Sequence, residues 1–529
     1  MAGKASANNG LLTLIKDKYS DIFDEGDRFG VDDESLRMGL ESIWSLDLEN
    51  APSHLLGDAF QALIGPSLRG DKGQFFTPKS VVRCMIQVLA PKAKTKVVDP
   101  ACGTGGFLTE VAAFWESNDL SPGKVVAIDK DKDLFVLSSA LLSISIPKRS
   151  HTINKNSLDK KALRQLPSVQ SPFGANHVIT NPPFGSKIPV KSQDILSQYE
   201  LGYQWVFSKD KQAWVKTSTL RSLQDPQTLF IELCIDLLKE EGTMGIVLPE
   251  GLFGNKTSGY IWDYVRSKGK IIGLIDCPRT TFQPGTDTKT NILFFKKTKK
   301  SDDNDNKVKI AVAINCGHDR RGRAITSNGK SYPDDFQVIA TDWNSEKHTT
   351  CFDAKITNPY YLIPRYYDLK TNYLIEEEAK LLSAEVISFD EMIRRGWISI
   401  RKGHEVGSAA YGTGNIPFIR TSDISNFEVS IDPTKSVSES IYHQYASDQN
   451  LRPGNILMVV DGRYRIGRSA ILHKFNAKCI AQSHLRIISV NENRSPIGPF
   501  ELLYLLSTKS VQRDIRSLIF IQSTLGSIG

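Results

Sequence analysis

Asn181, Pro182, Pro183 and Phe184 follow the apolar pair Val178-Ile179. Val178 and Ile179 read as the end of a buried strand. Proline has no N–H and a fixed φ, so Pro182 and Pro183 cannot continue a central ladder. The strand therefore delivers a rigid loop that carries one amide side chain and one aromatic ring. Such a loop is suited to hold something flat that bears an amine.

A second set of residues lies upstream in VVDPACGTGGFL, residues 97–108. Val97 and Val98 end a strand, and Gly103, Gly105 and Gly106 turn tightly into a helix. Small residues let a ligand approach the backbone, and a helix start offers free N–H groups. Alone, such a turn also fits a dinucleotide fold or a plain strand–helix turn. Asp99 shifts the reading, because a carboxylate there repels a pyrophosphate and accepts hydrogen bonds from an ammonium. Asp129 closes the next strand, VVAIDK, where a carboxylate typically holds the two ribose hydroxyls of a nucleoside. A ligand with both a ribose and an amino-acid ammonium is S-adenosylmethionine. Cys102 has no base near it in sequence and reads as a small turn residue, not a nucleophile.

These residues need a sheet to carry them. From residue 80 onward, short β-branched runs alternate with helical stretches: KVVDPA, KVVAID, HVITNPPF, TMGIVLP and KIIGLIDC are separated by apolar repeats of helical spacing. That alternation predicts βαβ units and a parallel sheet. Residues 1–68 read as a helical N-terminal domain, from LLTLIKDKYSDIF and LRMGLESIWSL. The charged stretch TKKSDDNDNK between NILFFKK and VKIAVAIN reads as an exposed hairpin loop. The chain has 529 residues, enough for about three domains. No apolar run approaches the ~20 residues of a membrane helix. The N-terminus lacks the apolar core of a signal peptide. Seven scattered cysteines without a CxxC pair fit a reducing cytoplasm, and nine histidines without zinc-ligand spacing predict no metal. A net charge of +7 permits nucleic-acid binding without demanding it.

Asp99-Pro100-Ala101-Cys102-Gly103-Thr104-Gly105-Gly106 followed by Asn181-Pro182-Pro183-Phe184 resembles the N6-adenine DNA methyltransferases. GQFFTPKSVV, residues 73–82, resembles the extra cofactor-binding segment of modification subunits of type I restriction–modification systems. YLIPRYYD, residues 361–368, resembles the segment that ends their catalytic domain. The order of motifs is that of the γ arrangement, and the helical region before QFFTP is shorter than the family's. The resemblance implies an α/β, Rossmann-like S-adenosylmethionine-dependent methyltransferase domain over residues 69–370. It implies cofactor contacts from Gln74, Phe75, Phe76, Thr77 and Pro78, and from Asp99, Ala101, Gly103, Thr104, Gly105, Gly106 and Asp129. Thr77 also reads as a helix N-cap with Pro78 at the first helical position.

The resemblance further implies the chemistry of the proline loop. The exocyclic amine of adenine is a poor nucleophile because its lone pair is delocalised into the ring. The Asn181 side-chain oxygen and the Pro182 carbonyl would accept its two hydrogens, Phe184 would stack on the base, and the adenine would be flipped out of the duplex. Implied partners are double-stranded DNA, a specificity subunit, a restriction subunit and a second modification subunit, with no membrane. Residues 371–529 read as a helical linker followed by a β-rich segment resembling a target-recognition domain, from YGTGNIPFIRTSDI, LRPGNILMVVDG and CIAQSHLRII. That segment ends early and is read as abbreviated or truncated. Two other functions stay in view: a protein glutamine-N5 methyltransferase, which also uses an NPP loop, and a catalytically inactive DNA-binding or scaffold subunit.

Overall fold

The computed structural model describes residues 12–17, 30–47, 77–183, 185, 188–299, 307–345, 349–368, 370–425, 427–462, 465–522 and 525–528. Little of the helical reading of residues 1–68 falls inside them: a helix over 12–17 and α1 (Asp33–Ile43), capped by the Asp32 side chain on the Ser35 N–H.

The chain divides into two compact units. The first holds residues 1–248 and 259–355, and the second holds 249–258 and 356–529. The first unit is built on a nine-stranded sheet. Its strands in chain order are β1 (Lys96–Asp99), β2 (Lys124–Asp129), β3 (Ser150–Asn154) and β4 (Ala175–Thr180). A separate hairpin follows, β5 (Tyr203–Ser208) with β6 (Ala213–Leu220). The sheet resumes with β7 (Leu238–Pro249), β8 (Gly269–Asp276), β9 (Thr290–Lys297), β10 (Lys307–Val312) and β11 (Cys351–Lys355). Its order is β11-β10-β8-β9-β7-β4-β1-β2-β3. The pairs β1–β2, β2–β3, β1–β4, β4–β7 and β8–β10 are parallel. The pairs β8–β9 and β10–β11 are antiparallel. Strand order reverses between β1 and β4.

The central parallel strands β1 and β2 are buried on both faces, which explains their continuous β-branched runs in place of alternation. Helices α2 (Lys79–Leu89), α3 (Gly106–Ser117) and α4 (Lys132–Ser145) cover them. Phe107, Leu108, Val111, Ala112 and Trp115 put one face of α3 in the core, and the buried Trp115 satisfies its indole N–H on the Pro91 carbonyl at 3.0 Å. Asp131 caps α4 by accepting from the Asp133 and Leu134 N–H groups.

One expectation fails. β9 and β10 do not form a hairpin. β9 lies between β7 and β8, so neither of its edges is free, and β10 crosses to the far side of β8. A charged connector is equally compatible with a hairpin and with a crossover, and the sequence pattern does not separate them.

The segment after β4 is tied down by a buried ion cluster. Lys160 Nζ lies 3.0 Å from Glu232 Oε1 and 2.8 Å from Asp236 Oδ2. Both acids stand on α5 (Pro226–Leu237). Glu232 also accepts the backbone N–H groups of Glu200 and Leu201 at 2.9 and 2.8 Å. The cluster thereby joins the loop after β3, the residues leading into β5, and α5. The hairpin β5–β6 packs Trp205 and Trp214 on Tyr260 of α6 (Gly259–Lys268), each at 6.1 Å between ring centroids.

The second unit is β-rich. Its main sheet orders Ile398–Lys402, Leu485–Val490, Ile456–Val459 and Ser469–Ile471, all antiparallel. Gln449, fully buried at the end of helix Glu439–Gln449, fastens that helix to the chain at Ala481. Its Oε1 accepts the Ala481 N–H at 2.8 Å and its Nε2 donates to the Ala481 carbonyl at 2.9 Å. Among the described residues no helix is long and apolar enough to cross a membrane.

Burial already raises the Glu232 carboxyl, and Lys160 is the first influence holding it down. Lys160→Met should therefore leave a buried acid uncompensated and lower stability by about 3 kcal/mol or more. Chemical denaturation checks this, and an unchanged midpoint contradicts it.

Candidate active site

Asp99 ends β1 at the crevice where strand order reverses, the place where open α/β sheets bind their ligands. Its side chain is fully buried. Oδ1 accepts the Ala101 N–H at 3.0 Å, while Oδ2 is buried and accepts no hydrogen bond. Burial pushes this carboxyl up to about 7; Thr180 and the Ala101 N–H oppose the rise, and Asp129 adds to it. The Thr180 hydroxyl acts by proximity, since neither it nor Asp99 Oδ2 makes an aligned hydrogen bond.

β2 holds the turn that follows. The Cys102 N–H donates to the Ile128 carbonyl at 3.0 Å, and the Gly103 N–H donates to Asp129 Oδ2 at 2.9 Å. The Asp131 N–H donates to Asp129 Oδ1 at 2.9 Å. Asp129 thus clamps the glycine turn while each of its oxygens keeps a second lone pair. Burial raises its carboxyl, against the pull of those two N–H groups. Gly103 (φ 53°) and Gly105 (φ 84°) occupy the left-handed region that favours glycine. A Cβ at Gly103 would meet nothing within 4 Å, whereas one at Gly105 would touch Ser138 Cβ at 3.4 Å. Gly103 therefore leaves backbone open to approach, and Gly105 serves packing. Thr104 is buried and Gly106 opens α3. Ser157 donates to the Pro100 carbonyl at 2.5 Å and pins the turn from the side of β3. The Cys102 thiol is pushed up by burial and by Asp99 and Asp129, the opposite of what a nucleophile needs.

Asn181 follows β4 directly. Its Nδ2 donates to Thr77 Oγ1 at 3.0 Å, and its Oδ1 is buried and accepts no hydrogen bond. Pro182 is buried and Pro183 partly so. Thr77 is not the cap of α2: Pro78 holds the N-cap position, without a side-chain bond. The helix begins one residue later than the sequence suggests, and the Thr77 hydroxyl is instead met by Asn181. Gln74, Phe75, Phe76 and Phe184 lie outside the described residues.

Ala101, Gly103, Asp99 and Asp129 are thus brought together at two adjacent strand ends, and Thr77 meets Asn181 beside them. Thr180 connects the two halves, next to Asn181 in sequence and next to Asp99 in space. The sequence reading missed Thr180; its signal was a hydroxyl closing a buried strand just before the loop. An acceptor oxygen with no donor at Asp99 and open backbone at Gly103 fit a ligand that brings an ammonium close to the turn. Among the described residues no cluster of three or more His, Cys, Asp or Glu could hold a metal ion.

Comparison with known proteins gives a consistent result. Residues 51–379 match the N-6 DNA methylase family. The chain is 26% identical over 303 residues to the type I restriction enzyme EcoEI methylase subunit of Escherichia coli, covering 54% of each chain. It is 23% identical over 281 residues to the type II methyltransferase M.VspI of Vibrio sp. (strain 343), covering 52% of this chain and 60% of that one. The chain spans about half the length of the first of these relatives. Its fold is like that of the type IIG restriction endonuclease BpuSI, with a TM-score of 0.52 at 14% identity, over 97% of this chain and 64% of that one. With the glycine turn at the switch point and the NPP loop after β4, the family match identifies the chain as a member of the N-6 DNA methylase family.

Proposed function

We propose that this chain transfers a methyl group from S-adenosylmethionine to N6 of adenine in DNA, as the modification component of a cytoplasmic type I-like restriction–modification system. The observation that carries the reading is Asn181 Oδ1, a buried acceptor without a donor, at the switch point beside Asp99. Asp99, Ala101, Gly103, Thr104, Gly105, Gly106 and Asp129 would hold the cofactor, with Thr77, Pro78 and the preceding Gln74–Phe76 segment on its methionine side. Bound there, it supplies an electrophilic methyl group. Asp99 Oδ2 accepts from the amino-acid ammonium, and Asp129 accepts from the ribose hydroxyls through its spare lone pairs.

The chain's own part in the reaction is to reshape and hold the amine. Asn181 Oδ1 and the Pro182 carbonyl accept its two hydrogens and draw the nitrogen toward a tetrahedral geometry. Those contacts strengthen as positive charge develops on nitrogen, so they act selectively in the transition state. Pro182 and Pro183 fix the loop, so little entropy is lost when the base arrives. Phe184 takes the face of the flipped base. The β-rich second unit is assigned to recognition or to docking a specificity subunit; a restriction subunit and a second modification subunit complete the assembly.

Asn181→Ala should bind cofactor normally and lose roughly 10²-fold or more in single-turnover methyl transfer, the scale of one preorganised transition-state contact. Rapid-quench assay with labelled cofactor measures it, and a wild-type rate refutes the role. Asp99 gives a pH signature. Its carboxyl, at about 7 in the ligand-free protein, must be ionised to meet an ammonium. Cofactor affinity should therefore be greatest between about pH 7 and 8, falling toward about tenfold per pH unit below as Asp99 takes up a proton and declining above as the α-ammonium loses one. Stability runs the other way. A carboxyl raised in the folded state adds stability that is complete below its unfolded value and lost as pH rises through about 7. Ligand-free Asp99→Asn should thus be more stable than wild type at pH 8, by up to about 4 kcal/mol, with the gap closing near pH 4, while binding cofactor poorly. Calorimetric titrations and melts at both pH values check this, and a pH-independent affinity contradicts it.

A further inference from the structure

Asn181 is a residue whose usefulness depends on which way its amide faces. A half-turn about the last side-chain torsion exchanges the oxygen for the NH₂ with almost no change of shape. Only the oxygen can accept hydrogens from an amine; the NH₂ would set donor against donor. The amide must therefore be anchored where its oxygen can meet the amine.

The Thr77 hydroxyl does so. Asn181 Nδ2 donates to Thr77 Oγ1 at 3.0 Å, across 104 positions of sequence, and Oδ1 is left buried with no hydrogen bond. Both partners stand on stiff supports. Thr77 precedes Pro78 and Asn181 precedes Pro182, and a residue before proline is confined to extended backbone. Behind Thr77, α2 buries Val81, Val82, Cys84, Met85 and Ile86 in the core. Behind Asn181, the β4 residues Val178, Ile179 and Thr180 are buried. A contact between two such anchors fixes a side chain in the way a well-supported site requires.

We infer that Thr77 is a positioning residue for the catalytic amide: its hydroxyl anchors the Asn181 side chain in the place where the carbonyl oxygen is open to the amine. This rests on the methyltransferase reading above and gives Thr77 a role distinct from covering the cofactor.

The test uses the full chain with Thr77→Val, which keeps the shape and removes the hydroxyl, and Thr77→Ser, which restores it. Thr77→Val should slow single-turnover transfer about tenfold, the scale of one lost hydrogen bond, and the loss should persist when cofactor is saturating. Thr77→Ser should recover most of the rate, and Thr77→Val should add nothing in an Asn181→Ala background. A wild-type rate in Thr77→Val, a loss confined to cofactor affinity, or full additivity with Asn181→Ala would overturn the inference. A crystal structure of Thr77→Val gives a readout independent of activity. An Asn181 side chain displaced or disordered relative to wild type supports the positioning role even if the wild-type chain methylates no DNA, which would count against the methyltransferase reading alone. An unchanged, ordered Asn181 overturns it.

Discussion

A carboxyl group buried without a partner for one of its oxygens is the constraint on which the catalytic edge depends. Asp99 ends a strand flanked by β2 and β4 and covered by helices, so it cannot turn to solvent. One backbone N–H serves Oδ1, the Thr180 hydroxyl lies near without an aligned hydrogen bond to Oδ2, and the carboxyl rises to about 7. Asp129, at the end of the adjacent strand, is raised by burial as well. Two acids in such places burden the ligand-free fold, and a cation delivered to them relieves that burden. The sheet tolerates the arrangement because its surroundings are over-determined. The Cys102 and Gly103 N–H groups, the Ser157 hydroxyl and the packing of Gly105 on Ser138 all fix the turn independently of any ligand.

The second half of the site uses the same device with a neutral group. Asn181 offers a buried acceptor that the protein does not satisfy, held by Thr77 at the other end of the amide. In both places the fold leaves hydrogen-bonding capacity unspent at the rim of the switch point. The Gln449 amide in the second unit shows the contrasting case, with both ends paired on the backbone of Ala481. Asp99 Oδ2, Thr180 Oγ1 and Asn181 Oδ1 stand open at two adjacent strand ends, where a donor-bearing ligand can meet them.

Asp99, the glycine turn, Asp129 and the NPPF loop were legible in the sequence because each is a local device. A strand end, a left-handed turn and a proline stop leave their mark within a few residues. The βαβ alternation announced a parallel sheet but not its strand order, so the switch point became visible only in the fold. What the sequence could not show depends on contacts between distant segments. Thr77 reads locally as a helix cap, and only the folded chain brings it to Asn181. Thr180 looks like one more strand residue until β1 lies beside β4. The charged connector after β9 allows a hairpin or a crossover equally, and the choice is made by β7 and β8 occupying both edges of β9. The ion cluster of Lys160, Glu232 and Asp236 joins residues more than 70 positions apart, with no local pattern to announce it.

The central claim is that this crevice delivers a methyl group to the exocyclic amine of adenine. It is tested most directly by the identity of the product. The full chain, expressed in a host without DNA methylation, alone and together with the proposed specificity partner, is supplied with isotopically labelled methyl groups, and the DNA is digested to nucleosides for mass spectrometry. Label in N6-methyldeoxyadenosine, absent when Asn181 is replaced by alanine, is the expected result. Label in a methylated cytosine, DNA without label, or N6-methyldeoxyadenosine undiminished by the Asn181 substitution would contradict the claim.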